Sequence, residues 1–499
     1  MDGAPRASGL LIESGAMPRR APLPSFLERS STDEYAPPPR TGAERRSIAR
    51  LLERGERAAR RSGLTPDAWA ATRRGTAAGL VALNAEAGHE FYRVPREAAE
   101  DEAAARAAFA GPELVIDVQT HFVSDRPECR PWHANIRALY EAVRPGWWRG
   151  MDDLLAYDLS EYLRCVFVES ETALAVLTSA PGLGPERMLH DRELAGTREL
   201  AERFGAGGRL LNHSVVHPEV PGGLDSMDEA CERFHPVGFK VYTLGAMGPF
   251  GVLPQQAARS AARSEDEVRA DSRAGWWLDD ERVGFPFLER VRASGVRRVC
   301  VHKGISNGVP TGSPRDVGPA AKAFPEIDFL IYHSGYEVPL PGTPPEGPFT
   351  EASAGLGTNR LVASLRAAGI RPGANVWAEL GSTWFCLIRR PEEAAHVLGK
   401  LLLAVGEDRV LWGTDAIWYG PSQPAIDAFR AFQIPDEMRE RFGYPELTSR
   451  VKAKILAENA ASAYGLDLAR VRAQAARDDL AWVRAAAQEW RKRGVPEVR

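Results

Sequence analysis

Eight short, mostly apolar runs recur along the middle of the chain, at 114–123, 172–179, 209–217, 237–243, 298–304, 328–334, 375–382 and 409–417. Runs of this length suit strands buried on both faces, as a parallel sheet covered by helices requires. Between them lie stretches of helical spacing at 187–205, 281–295, 360–369 and 391–405, the last followed by Gly406 as a stop signal. Strand and helix in alternation predict a parallel β/α architecture, and eight strands are what a closed barrel needs. The predicted fold is α/β, a (β/α)8 TIM barrel over 111–467.

The flanks read differently. Residues 1–42 are rich in Pro, Arg and Ser and lack an apolar period, which predicts an extended or disordered arm. A helical extension follows over 43–110, opened by a basic amphipathic helix with Ile48, Leu51 and Leu52 on its thin apolar face. The stretch 73–86 pairs Arg73-Arg74 with a short apolar region, the outline of an export signal, but far inside the chain, where a structural helix is the simpler reading. Past the last strand, 451–464 predicts a helix turning Ile455, Leu456 and Ala460 to the barrel, and 468–499 a further C-terminal helix. The connection 244–280 is longer than a strand-to-helix loop needs and is a candidate lid. Trp147-Trp148 and Trp276-Trp277 either line a pocket or pack beneath a loop.

With 499 residues and a net charge of -4, the chain has room for a large core and no electrostatic footprint for nucleic acid. No apolar run reaches the ~18–20 residues of a membrane helix. The expected partner is a small-molecule substrate. Five scattered cysteines without a Cys-x-x-Cys argue against a disulfide framework and fit the cytoplasm, with export as the minor alternative. The terminal segments carry too little apolar surface to stand alone, which predicts a homo-oligomer.

Chemistry-bearing side chains gather where the strands end: Asp117, Gln119 and His121 on the first, Lys240 on the fourth, His302 on the fifth, His333 on the sixth, Glu379 on the seventh and Asp415 on the eighth. The carboxyl end of a barrel is where its chemistry is done. Residues two apart share a strand face, so Gln119 and His121 project together. Imidazoles and a carboxylate from separate strands make a site for one or two divalent transition ions, zinc first, then manganese, iron or cobalt, that would acidify a bound water. His217, at the end of the third strand, is a supporting candidate; His89, His133, His190, His213, His235 and His396 read as structural.

The motifs Val115-Ile-Asp-Val-Gln-Thr-His121, Val301-His302, Tyr332-His333-Ser-Gly335, Leu411-Trp-Gly-Thr-Asp415 and Ile455-Leu-Ala-Glu-Asn-Ala-Ala461 with Tyr464-Gly465 stand in one order at these strand ends. Over about 113–467 the chain thereby resembles the amidohydrolase superfamily, in its amidohydrolase-related branch that includes aminocarboxymuconate semialdehyde decarboxylase. The resemblance implies His121, His302 and Asp415 as metal ligands and His333 as an unliganded or second-metal histidine that polarises substrate or moves a proton. Gln119 departs from it, because the family places His, or in some decarboxylases Glu, at that position, and an amide oxygen is a weaker ligand. Lys240 is open to three readings: a carboxylated bridge between two metals as in members resembling dihydroorotase, a clamp for a substrate carboxylate, or a partner of Glu379 or Asp415. Asp117 and Glu379 are supporting candidates.

Two enzymatic readings share these residues. In the first, a metal-dependent hydrolase, Asp415 accepts a proton from a metal-activated water and His333 stabilises the oxyanion. In the second, a non-oxidative decarboxylase of an aromatic or unsaturated acid, the metal holds the substrate carboxylate. A third reading, a barrel that binds a ligand without turnover, takes Gln119 as the mark of a decayed metal site.

Overall fold

The computed structural model describes residues 23–30, 32, 35, 38–134, 136, 157–244, 275–306, 309–339, 343–477 and 479–480. Eight parallel strands follow one another in chain order: β1 Val115–Thr120, β2 Thr172–Leu177, β3 Leu210–Val216, β4 Gly238–Tyr242, β5 Arg298–His302, β6 Asp328–Tyr332, β7 Val376–Glu379 and β8 Val410–Leu411. Each lies inside the run predicted for it. The helices Asp191–Arg203, Gly284–Ser294, Asn359–Ala368 and Pro391–Ala404 match the predicted intervals, Asn359 starting one residue early. The fold is a (β/α)8 barrel.

β8 is shorter than the run 409–417 because Gly413 and the left-handed Asp415, at φ 60°, interrupt its ladder. The barrel closes all the same: Val118 N–H donates to Trp412 O (3.1 Å), Asp415 N–H to Gln119 O (2.9 Å) and His121 N–H to Ala416 O (2.6 Å). Closure leaves no sheet edge at this seam.

Strand alternation divides each strand into an outer face under the helices and an inner face. On the inner face, His213 of β3 lies 3.2 Å from the Tyr332 hydroxyl of β6 and 3.6 Å from Cys300 Sγ of β5. Neither strand adjoins β3, so the contacts run through the barrel interior. The amino end is closed from below by the helical stretch Ser449–Tyr464, whose Tyr464 hydroxyl reaches His213 Nε2 at 3.0 Å. Ile455, Leu456 and Ala460 of that stretch are fully buried, as their spacing predicted.

Gly42–Arg61 is a helix with a Thr41/Glu44 capping box. Arg73–Ala87 is a packed helix whose Arg73 pairs with Asp427 at 3.1 Å and whose Arg74 donates to Ser62 Oγ at 2.6 Å. In the expected arm, the described Phe26, Leu27 and Tyr35 are buried against the body of the protein. Trp276 and Trp277 are buried, Trp277 beneath the Arg315 guanidinium at 3.7 Å, which makes them packing residues. Trp147-Trp148, residues 245–274 of the expected lid and most of the C-terminal helix beyond 480 lie outside the described residues. No described helix is long and apolar enough to cross a membrane. All five cysteines are free thiols.

Candidate active site

β1 delivers Gln119 and His121 to the barrel mouth on one face, and both converge on Asp415. Gln119 Nε2 donates to Asp415 Oδ1 at 2.9 Å, and His121 Nε2 lies 3.0 Å from the same oxygen. His121 Nδ1 sits 2.9 Å from the carbonyl of Thr178. A carbonyl only accepts, so Nδ1 carries a proton; Nε2 can donate a proton of its own to Asp415 Oδ1 or, without that proton, offer a lone pair to an ion.

His333 is set in the same way. Its Nδ1 donates to Gly381 O at 2.7 Å, leaving Nε2 as the acceptor nitrogen. Burial pushes its pKa down to about 4, opposed in part by Asp415, so the ring is neutral near neutral pH. His302, at the end of β5, packs edge-on to it with ring centroids 4.7 Å apart and stacks on Tyr242 at 5.1 Å. Burial, then the neighbouring His333 and Lys240, push its pKa well below the usual range as well.

Strict alternation would send either Tyr332 or His333 out of the barrel, yet both face inward. The backbone makes the exception: His333 and Ser334 adopt φ of 65° and 51°. Of the six non-glycine residues with positive φ among those described, four are His333, Ser334, Ser382 and Asp415. Such strain persists only where surrounding bonds over-determine it, and it gathers at functional sites.

Glu379 supplies part of that determination. Its carboxylate accepts the N–H of His333 at 3.2 Å and the N–H of Gly381, tying the loops after β6 and β7 together. Burial raises its pKa well above the ordinary range. There is no room for a side chain beside it: a Cβ at Gly413 would lie 1.8 Å from Glu379 Oε1, and one at Gly381 would lie 2.2 Å from Gln119 Oε1. Asp117 plays the matching part under β8, accepting the N–H of Thr414 at 3.0 Å and the Thr414 hydroxyl. Burial raises its pKa to about 7, against the pull of those bonds.

Sequence reasoning did not find Ser382 or Tyr419. Ser382 Oγ donates to Asp415 Oδ2 and lies 2.6 Å from the Tyr419 hydroxyl. Asp415 thus meets His121, Gln119 and Ser382; burial works against its charge, and His121, then His333 and the Ser382 hydroxyl, hold its pKa below the ordinary value. The signal for Ser382 was the small polar run Gly381-Ser382-Thr383 directly after a strand end.

Lys240 stands below the mouth, close enough for its charge to act on His302, His333 and Glu379. Its ammonium lies 3.5 Å from the ring centroid of Tyr332 and 4.8 Å from that of Tyr242, a cation packed on aromatic faces inside the barrel. This placement favours neither the bridge nor the carboxylate clamp. His217, just past β3, pairs Nδ1 with Glu219 Oε1 at 3.2 Å, and both side chains are buried.

The family model described as Amidohydrolase matches residues 116–466, more than two thirds of the chain. The chain belongs to the amidohydrolase family. No curated protein sequence matches it. Among solved structures this amidohydrolase is similar to 5-carboxyvanillate decarboxylase of Novosphingobium aromaticivorans, complexed with manganese and 4-hydroxy-3-methoxy-5-nitrobenzoic acid, at 14% identity and TM-score 0.43 over 71% of this chain and 97% of that one. It is also similar to 2,6-dihydroxybenzoate decarboxylase complexed with 2,6-dihydroxybenzoate, at 15% identity and TM-score 0.39 over 71% and 100% of the two chains. A third is an amidohydrolase of Bifidobacterium longum subsp. infantis, at 17% and 0.34 over 71% and 100%. At these scores the likeness says nothing about site or substrate.

The family implies a divalent ion, and the residues of this amidohydrolase fit one in kind. Imidazole nitrogen and carboxylate oxygen are its usual donors. His121 Nε2 and Asp415 Oδ1 stand 3.0 Å apart, so both would reach one ion. Gln119 Oε1 is a buried oxygen with no hydrogen bond. Among the described residues no three His, Cys, Asp or Glu side chains form a ready cage: His121 and Asp415 face each other with an amide oxygen beside them, and the expected third ligand, His302, packs against His333 and would have to be drawn in by the ion.

Proposed function

We propose that this chain is a divalent-metal-dependent hydrolase acting on a small organic substrate. The observation that carries the proposal is the shared setting of His121 and His333. Each has Nδ1 fixed on a backbone carbonyl, which makes Nε2 the nitrogen for an ion or a proton, beside a buried aspartate at the barrel mouth.

His121, His302 and Asp415 would hold the ion, with the Gln119 amide oxygen as a weaker contact. When bound, the ion would supply Lewis acidity, lowering the cost of charge on a substrate oxygen and of removing a proton from water. The protein's residues then divide the remaining work. Asp415, met by His121, Gln119 and Ser382, is a poor base and a good anchor for positive charge. His333, neutral and with its lone pair at Nε2, is the better group to take the proton of an attacking water. In that state it accepts and does not donate, so stabilising an oxyanion would require a second proton on the ring. Glu379 and Asp117 hold the loops that carry these groups.

The test is elemental analysis of the purified protein beside His302→Ala and Asp415→Ala, followed by turnover assays with carboxylic esters, lactones and amides. One or two equivalents of zinc, manganese, iron or cobalt, lost in the variants and accompanied by water-dependent cleavage, support the proposal. Carbon dioxide release from an aromatic or unsaturated acid would make the chain a carboxy-lyase. A metal-free protein after incubation with each ion would overturn the metal assignment.

A further inference from the structure

A line of hydroxyls leads from Asp415 out of the barrel and into the N-terminal extension. Asp415 Oδ2 accepts from Ser382 Oγ. Ser382 Oγ lies 2.6 Å from the Tyr419 hydroxyl, and Tyr419 lies 3.1 Å from the hydroxyl of Tyr35. All four residues are buried, Tyr35 at 3% exposure and Tyr419 at 5%.

The polarity of this line is fixed by counting protons. The carboxylate can only accept, so the single proton of Ser382 is committed to it. Tyr419 must then donate to Ser382, which leaves the Tyr419 oxygen to accept from Tyr35, whose hydroxyl also lies 3.3 Å from the Ser30 carbonyl and 3.5 Å from Cys386 Sγ. The Ser382 and Tyr419 protons therefore point toward Asp415, an arrangement in which each bond polarises the next. Oδ2 is thereby occupied, and Oδ1 is the oxygen turned to His121 and Gln119.

The segment that carries Tyr35 is anchored independently. Ser30 Oγ donates to Trp418 O at 2.9 Å, and Arg389 Nη1 donates to Glu28 O at 3.0 Å. The Trp418 ring lies 6.3 Å from that of His121. The extension thus holds both residues, 418 and 419, that follow the turn after Asp415. Tyr35 also stands outside the residues matched by the family, 116–466, so the barrel that the family shares does not supply it.

We infer that Tyr35 is a positioning residue for the site: through Tyr419 and Ser382, the N-terminal extension fixes which oxygen of Asp415 faces the metal side. The metal readout below rests on the proposed metal site, whereas the exchange readout does not. Ser382 holds φ 55° and Asp415 φ 60°, conformations that need outside bonds to persist. Loss of the Tyr35 hydroxyl should let both segments open more often.

The experiment is a double-variant cycle in the full-length protein with Tyr35→Phe, Tyr419→Phe and the pair, and with Tyr444→Phe as the control. Tyr444 bonds His396 Nδ1 at 3.0 Å and takes no part in the line. In metal-free protein, amide hydrogen exchange over 382–386 and 415–419 should quicken about tenfold in Tyr35→Phe and stay at the natural rate in Tyr444→Phe. The pair should show little more than Tyr419→Phe alone, since a line broken once is not broken further. In the same proteins, affinity for Mn(II) and Co(II) should weaken roughly three- to tenfold in Tyr35→Phe, below the 10- to 100-fold typical of groups bonded directly to a ligand. Unchanged exchange in Tyr35→Phe, or additive effects in the pair, would overturn the inference whatever the metal does. If Tyr35→Phe does not fold, Tyr419→Phe carries the exchange test alone against the same control. A natural protein that binds neither ion, with exchange responding as described, would remove the metal site and leave the positioning role standing.

Discussion

Two histidines on neighbouring levels of the barrel look alike by burial and differ in everything else. His213 and His333 are both fully buried, and burial lowers the pKa of each. His213, toward the amino end, has Tyr332 and Tyr464 hydroxyls on its two nitrogens. His333, at the carboxyl end, has one nitrogen on a carbonyl, the other facing a neighbourhood of His302 and Asp415, and a left-handed backbone. Burial and a depressed pKa therefore do not mark a site in this protein. What separates the two levels is backbone strain, with positive φ at His333, Ser334, Ser382 and Asp415.

The strongest way to break that comparison is Asp415→Ala. Losing a ligand should weaken metal affinity by at least ~100-fold by equilibrium dialysis. Full retention of metal would show that the strained end is not the binding end. Next is Gly413→Ala, which drives a Cβ into Glu379 Oε1. It should cost about 1–3 kcal/mol in urea unfolding as overpacking does, and should also lower metal occupancy, because Glu379 holds the His333 backbone. His213→Leu should cost a similar or smaller ~1–3 kcal/mol by stranding the Tyr464 hydroxyl, with metal content unchanged. Metal loss there would erase the distinction between the two levels.

The smallest effect concerns Lys452, in the helix Ser449–Ala453 beneath the barrel, whose pKa burial lowers to about 7. Between that value and the unfolded ~10.4, the unfolded chain holds the extra proton, so stability rises with pH across roughly 7 to 10. In Lys452→Met this component, below about 1.4 kcal/mol per pH unit, should vanish from unfolding curves measured across that window.

How the site differed from its reading in the sequence follows from where each signal lives. Gln119 and His121 were legible as a pair because a two-residue period needs only the local strand, and both do reach Asp415. Lys240 was not, since its period placed it correctly on the inner face but could not say that Tyr332, two strands away, would receive its ammonium. His333 was placed at the right strand end, while alternation alone would have turned either it or Tyr332 outward. Ser382 carried only the weak signal of a small polar run after a strand end, and Tyr419 none, because a hydroxyl becomes part of a site only through what the fold brings beside it.

The sequence by itself determined the eight strands, the helices between them and the strand-end positions of the candidate groups, for these depend on apolar period and on residues close together in the chain. The tertiary structure alone decided which nitrogen each histidine offers, that Glu379 and Asp117 serve as braces, and that Tyr35 reaches Asp415. Those outcomes depend on contacts between residues as much as 384 positions apart, Tyr35 and Tyr419, which no local pattern encodes.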